Sequence, residues 1–486
     1  MVKPSKKEMK IVSEKTDLEE LAKELVLDNP NAWEKVTLQQ KEEIFQLGQE
    51  YKKFLDKSKT ERETVHELLK AAETAGFVKL NDSAETRTRI EPGQKFYSSF
   101  RDKAVLMGVL GSNPLEEGFR LIGSHVDSPR LDLKPKPLYQ KNDLALFKTH
   151  YYGGVKKYQW TAIPLALHGV VVLESGKTVS VAVGESEDDP VFTITDLLPH
   201  LAGEQSRRKL SEGIKGEELN ILVGSIPLEG EGFKETVKLA VLKHLKDDYG
   251  ITEEDFTSAE LEVVPAGKAR DVGFDRSMVG GYGQDDRICV FASWKAIEGL
   301  RAPKNTCIIL FADKEEIGST GNTGMQSRIL EEFLMTVSRL SNQTINLSRV
   351  FYASEALSAD VNAAYDPTWE DVMDKYNAAK LGFGVCLTKY TGARGKVEAN
   401  DAHAEFLAHV RRLFKRHGVV WQTGELGKVD YGGGGTIAKF LSNLNINVVD
   451  CGMPVLSMHA PFEVTSKVDL FMGYKAFCAF LQDSEQ

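Results

Sequence analysis

Two glutamates stand side by side, Glu315 and Glu316, where the apolar run TCIILFA gives way to Asp313-Lys314-Glu315-Glu316-Ile317-Gly318-Ser319. Adjacent carboxylates at the end of a buried strand repel one another unless a cation or a proton compensates. One of them can bind a metal ion while the other takes the proton of an attacking water, so Glu316 is assigned as ligand and Glu315 as general base. Four other segments carry matching parts. His125 and Asp127 lie in Ser124-His125-Val126-Asp127-Ser128, after the strand-like FRLIG; His125 is a candidate ligand and Asp127 the partner of its other ring nitrogen. A lone H-x-D is most often a hydrogen-bonded turn histidine. Asp285, in Tyr282-Gly283-Gln284-Asp285-Asp286-Arg287, opens a helix, where an Asp is usually a cap. Two consecutive acids exceed what capping needs, and Asp285 is the candidate for a carboxylate bridging two metals. Asp360 follows VFYASEAL, and His459 follows VVDCGMPVL. Each is unremarkable alone. As a set they are the donors of a two-cation hydrolytic centre.

Such donors need a scaffold that gathers loops, and the open α/β sheet does so at the carboxyl ends of its strands. Segments from about residue 17 to 75 have helical periodicity with solvated Glu–Lys faces. KAVLMGVLG reads as a strand. RICVFASWKAIEGL, MQSRILEEFLMTVSRL and AHAEFLAHVRRLFKRHG read as helices; TCIILFADK, RVFYASEALSADV and NINVVDCG read as strands. That alternation predicts an α/β/α sandwich around a mostly parallel sheet. Between 131 and 258 the texture changes to short runs such as GVVVL, TVSVAVG and PVFTITDLL, with one helical stretch, KETVKLAVLKHLKDDYG. The expected organisation is therefore a discontinuous catalytic domain, 1–130 plus 259–486, interrupted by a smaller β-rich domain over 131–258.

In this order, HVDSP, GQDD, DKEEIGS, SADVN and SMHAP resemble the aspartyl aminopeptidase family of dinuclear zinc exopeptidases, from about Phe96 to the C-terminus. The resemblance implies a zinc-peptidase fold with an inserted oligomerisation domain, assembled as a homo-oligomeric dodecamer. It implies two divalent metal ions, zinc in the first place with cobalt and manganese as alternatives, one held by His125, Asp285 and Asp360 and the other by Asp285, Glu316 and His459. Glu315 matches the family's base and Asp127 its histidine-orienting residue. A histidine from a neighbouring subunit's insert, placed on His200 with His168 as the alternative, would stabilise the tetrahedral oxyanion. Lys389, in Leu387-Thr388-Lys389-Tyr390, falls where the family pairs a Lys with an acidic N-terminal side chain. The chain departs from the family early in the insert, reading Gln159-Trp160-Thr161-Ala162-Ile163-Pro164 where typical members have Trp-Phe-Asp-Arg-Asp-Leu. It resembles a divergent, bacterial-type branch, and acidic and neutral first residues both stay open as substrates.

Composition sets the outer limits. A length of 486 residues favours two domains. A formal net charge of −10 disfavours a nucleic-acid partner. No stretch reaches the roughly 18 apolar residues of a membrane span, and MVKPSKKEMKIVSEKTDLEE lacks the apolar core of a secretory signal. The five cysteines are odd in number and contain no C-x-x-C, consistent with reduced thiols and a cytoplasmic location. Tyr431-Gly432-Gly433-Gly434-Gly435-Thr436 lacks phosphate-loop spacing and fits close backbone approach to a bound peptide better. The rival readings are a dipeptidase or N-acyl deacylase with the same metals, a serine hydrolase using Ser128 with His125, and a non-catalytic assembly protein.

Overall fold

The computed structural model describes residues 18–81, 83 and 89–483. Most of the amino-terminal stretch that reads as lacking a secretory signal lies outside the described residues.

Apolar β-branched runs form a nine-stranded central sheet, ordered Val78–Lys79, Lys95–Phe100, Ala104–Val109, Thr306–Ala312, Phe119–His125, Glu355–Ser358, Asn447–Gly452, Val385–Thr388 and Trp421–Thr423. Thr306–Ala312, Phe119–His125, Glu355–Ser358 and Asn447–Gly452 run parallel at its centre. Side chains alternate across a strand, so neighbours serve opposite cores. Ile309 and Phe311 join Tyr51, Ile288 and Phe477 under helices Leu38–Lys57, Gln284–Glu298 and Lys467–Gln482. Ile308 and Leu310 join Phe333, Leu334 and Leu441 under helices Ile329–Leu340 and Ala438–Ser442. The result is the expected α/β/α sandwich.

A separate six-stranded antiparallel sheet is ordered Thr178–Val183, Leu165–Val172, Ala259–Pro265, Arg130–Lys141, Leu144–Tyr152 and Asn220–Gly224. It has its own core, drawn from Leu131, Phe147, Trp160, Val181 and Phe256 among others. The strand Ala259–Pro265, just past the expected edge at 258, pairs in the middle of this sheet. A third sheet, of five short strands, includes Met278–Gly281, Pro454–Leu456 and Glu463–Ser466.

Two local expectations change. The run RVFYASEAL is not one strand: Leu347–Tyr352 is a helix, and only Glu355–Ser358 is extended. The side chain of Asn346 accepts the Arg349 amide and caps that helix, while Val350 and Phe351 are buried in the core beneath it. PVFTITDLL contributes isolated bridges at Phe192 and Thr193 rather than a strand.

Candidate metal centre

Loops after three of the parallel strands bring their donors to one end of the sheet. His125 closes Phe119–His125, Glu315 and Glu316 follow Thr306–Ala312, and Asp360 follows Glu355–Ser358. The five-stranded sheet supplies the rest, with Asp285 after Met278–Gly281 and His459 after Pro454–Leu456. His125 Nε2 lies 3.1 Å from Asp285 Oδ1 and 3.8 Å from Asp360 Oδ1. His459 Nε2 lies 3.1 Å from Asp285 Oδ2 and 3.5 Å from Glu316 Oε1. Asp285 thus stands between two imidazoles and gives one oxygen to each. Four donors at about 2.0–2.2 Å from a tetrahedral cation stand roughly 3.3–3.6 Å apart, and the 3.1 and 3.8 Å of the first triad and 3.1 and 3.5 Å of the second lie around that range.

The other ring nitrogens are set for ligation. His125 Nδ1 faces the Asp127 carbonyl at 3.0 Å and His459 Nδ1 faces the Gly154 carbonyl at 3.1 Å. A carbonyl only accepts, so each Nδ1 carries the proton and each Nε2 lone pair is free for a cation. The expected hold of Asp127 on His125 is therefore made mainly by its backbone, with the carboxylate at 3.5 Å.

Buried negative charge exceeds what the imidazoles offset. Burial pushes the Glu315 carboxyl up to about 7; His125 and His459 pull against this, while Asp127 and Asp285 reinforce it. Burial, with Asp285 and Glu315 adding, raises Glu316 well above the carboxylate range, against the pull of His459 and His125. Asp360 is raised by burial too, with Asp285, Asp286 and Glu315 adding and His125 opposing. Burial opposes ionisation of Asp285 as well, but hydrogen bonds to His125 and His459 outweigh it and hold the group low. Burial opposes the charge of His459 too, but Asp285, Glu316 and Glu463 outweigh it and raise the group to about 10. Glu316 Oε1 is buried without a hydrogen-bond partner. Hard oxygen and imidazole donors, an orphaned carboxylate oxygen and uncompensated buried charge all fit bound divalent cations. Donor atoms of His125, Asp286 and Asp360 also lie within 4.8 Å of one another. Asp286 Oδ2, however, already accepts the His125 backbone amide at 3.2 Å. Asp285, by contrast, faces both imidazoles, one with each oxygen.

Several supports were not visible in the sequence. The Asp127 carboxylate accepts the amides of Glu315 at 3.1 Å and Glu316 at 3.2 Å, and the Tyr152 hydroxyl at 2.8 Å. Glu463 accepts the His459 amide at 2.7 Å on Oε1, and the Gln284 and Asp285 amides at 2.6 and 3.3 Å on Oε2. Gly153 approaches so closely that a Cβ there would lie 3.3 Å from the Glu316 Cβ, with its φ at +72°. The Tyr-Gly-Gly run at 152–154 was the one available signal, since glycine permits such an approach.

The hydrogen bonds of His168 and the ion pair of Lys389 reach none of these donors. His200 is exposed, in a segment where Leu197, Leu198 and Leu201 are exposed too. His168 is buried, with Nδ1 2.7 Å from Glu63 and Nε2 3.1 Å from Glu185. Both its nitrogens are occupied by carboxylates, so it is a structural histidine rather than an oxyanion donor. Lys389 is half-exposed and ion-paired with Asp401, which also pairs with Lys396 at 3.1 Å. The Ser128 hydroxyl donates to the Asp285 carbonyl at 2.7 Å and accepts from Arg287 at 2.6 Å, which removes it as a nucleophile activated by His125. In the glycine run, a Cβ on Gly432 would stand 1.6 Å from the Leu426 carbonyl, and one on Gly433 would stand 2.3 Å from that of Gly392. The close approach is between loops of the chain itself.

An α/β/α sandwich whose strand-end loops set two imidazoles about one shared carboxylate, with a spare glutamate beside them, defines a metal-dependent peptidase. A family model, "Aminopeptidase I zinc metalloprotease (M18)", matches residues 54–481, and the chain belongs to that family. A probable M18 family aminopeptidase 1 of Clostridium acetobutylicum is 50% identical over 462 residues, 95% of this chain and 99% of the relative. One from Thermotoga maritima is 47% identical, covering 94% and 99%. The solved M18 aminopeptidase of Thermotoga maritima superposes with a TM-score of 0.89 at 46% identity, covering 94% of this chain and 99% of that one. Aminopeptidase I of Clostridium acetobutylicum gives 0.88 at 47% identity, covering 94% and 100%. A yeast mApe1 dodecamer shares the fold with a TM-score of 0.73 at 24% identity, covering 89% and 95%. The chain is accordingly an aminopeptidase that depends on a metal cofactor. Among the described residues no helix is long and apolar enough to cross a membrane.

Proposed function

We propose that this aminopeptidase removes single N-terminal residues from peptides with two zinc ions, one held by His125, Asp285 and Asp360 and the other by Asp285, Glu316 and His459. The observation that carries it is the Asp285 carboxylate, with one oxygen 3.1 Å from His125 Nε2 and the other 3.1 Å from His459 Nε2. Bound cations there supply Lewis acidity and make a water acidic enough to lose its proton near neutral pH. Glu315, raised to about 7 chiefly by burial, takes that proton and returns it to the departing amine. Asp127 holds the turn that carries both glutamates. The Nδ1 bonds of His125 and His459 keep their rings aimed.

The acidic preference rests on Lys389. An acidic first residue would reach that ammonium only by displacing Asp401. The exposed apolar segment around His200 supports a homo-oligomeric assembly in which this histidine reaches a neighbour's site. The dodecamer is taken from the yeast relative of the same fold. Five unpaired cysteines support a cytoplasmic location.

The test is a rate panel on Asp-, Glu-, Leu- and Lys-anilides beside N-blocked peptides, with sedimentation to size the assembly. Cleavage of the free-amine substrates alone is expected; hydrolysis of blocked ones at equal rates would return the dipeptidase or deacylase reading. Lys389→Ala should erase any advantage of Asp and Glu over Leu.

A further inference from the structure

The inserted sheet reaches the catalytic turn at one side chain. Tyr152 ends the strand Leu144–Tyr152, and its hydroxyl donates to Asp127 Oδ2 at 2.8 Å. Asp127 is fully buried, and its two oxygens accept the Glu315 amide at 3.1 Å and the Glu316 amide at 3.2 Å. The Tyr152 ring is itself held, with the Arg130 guanidinium 3.9 Å from its centroid. Arg130 is anchored in turn by Asp132 at 2.8 Å and Glu262 at 3.1 Å, both on the inserted sheet. The next two residues follow the same path, with Gly153 against Glu316 and the Gly154 carbonyl on His459 Nδ1.

We infer that Tyr152 is a positioning residue for catalysis: its hydroxyl orients the Asp127 carboxylate, and through it the Glu315–Glu316 turn, so that the inserted sheet sets the general base within its own chain. The geometry gives the hydroxyl leverage. Without that donor, Oδ2 keeps only the Glu316 amide, and the carboxylate can rotate off the two amides that hold base and ligand. A turn carrying a catalytic base tolerates little displacement, because misplacement by about 1 Å costs roughly a hundredfold in rate.

The inference rests on the aminopeptidase reading, so the test includes a measurement that needs no turnover. Tyr152→Phe removes the hydroxyl and keeps the ring under Arg130, so the fold should be retained. The expected result is a fall in kcat of at least about tenfold with KM within about twofold, the usual scale for losing a group behind a ligand. Zinc competition against a chromophoric chelator on the apo-protein should show the weaker-bound ion loosened by about tenfold. Placing Tyr152→Phe on Asp127→Asn should add nothing to the effect of Asp127→Asn alone, because both act through one carboxylate. Wild-type kcat, a change confined to KM, unaltered zinc affinity, or an additive loss in the double variant would overturn the inference. If the wild-type enzyme cleaved none of the anilides, the functional reading would fail while the zinc competition still tested the role of Tyr152.

Discussion

The backbone amide of His459 donates to Glu463 at 2.7 Å, and the other oxygen of the same carboxylate receives the amide of Asp285 at 3.3 Å. One buried side chain therefore ties together the two loops that carry the proposed ligands Asp285 and His459. Replacing Glu463 with Gln puts an amide donor against a backbone donor. The expected outcome is a loss of zinc affinity of about 10–100-fold by chelator competition. A drop in stability of about 1–3 kcal/mol should accompany it, from buried amides left unpaired. Unchanged zinc affinity would mean that the loops hold their geometry without this carboxylate.

Glu315 and Glu316 are neighbours with different proposed jobs, and metal analysis separates them. Glu315→Gln should retain its metal and lose about 10²–10⁴ in kcat, the range for removing a general base. Glu316→Gln should lose metal from the side shared with His459, and excess zinc should restore part of the activity. Full activity in Glu315→Gln would assign the base elsewhere.

Chelation should abolish activity and lower the thermal midpoint, with zinc restoring both. The sign of the pH effect follows from the raised carboxyls. An acid whose folded pKa lies above its unfolded value costs stability once the pH exceeds the unfolded value, and Glu316 and Asp360 are both raised, by burial first. Protons also compete with the cation for these ligands. The gap in midpoint between metal-loaded and metal-free protein should therefore widen from pH 6 to pH 8. A constant gap would show that these groups do not titrate with metal loss.

His168 links the inserted sheet to the helix Glu61–Thr74 and provides a second pH test. Burial opposes its charge, but Glu185 and Glu63 outweigh burial and raise it to about 9, while Lys59 stands 3.7 Å from Glu185. A folded pKa above the unfolded value of about 6.5 gives stability that is fully present below about pH 6.5 and lost as the pH rises through about 9. His168→Gln should lower the stability most at pH 6, by on the order of 2 kcal/mol, and hardly at all near pH 9.5. A deficit independent of pH would show packing alone.

Much of the site was legible because each ligand sits where an apolar run breaks. His125, Glu316, Asp360 and His459 all follow strand-like segments, and residues unremarkable singly gain meaning as a set because strand-end loops of an open α/β sheet converge. Glu315 beside Glu316 carried its own argument, since two adjacent acids at a buried strand end need a cation or a proton. Tyr152 and Glu463 carried none. Tyr152 reaches Asp127 across 25 residues and Glu463 reaches Gln284 across 179, and neither residue type is unusual in its own segment. The helix Leu347–Tyr352 was missed for a related reason: its apolar residues face a core that the local pattern does not reveal.

The residue types and their order thus determined the chemistry, because ligand atoms and a spare base can be counted without coordinates. Only the tertiary structure decided which carboxylate stands between the two imidazoles, which ring nitrogens face a carbonyl and what holds the Glu315–Glu316 turn. Those depend on ångström-scale distances between segments far apart in the chain, which arise from the packing of three sheets rather than from any local propensity.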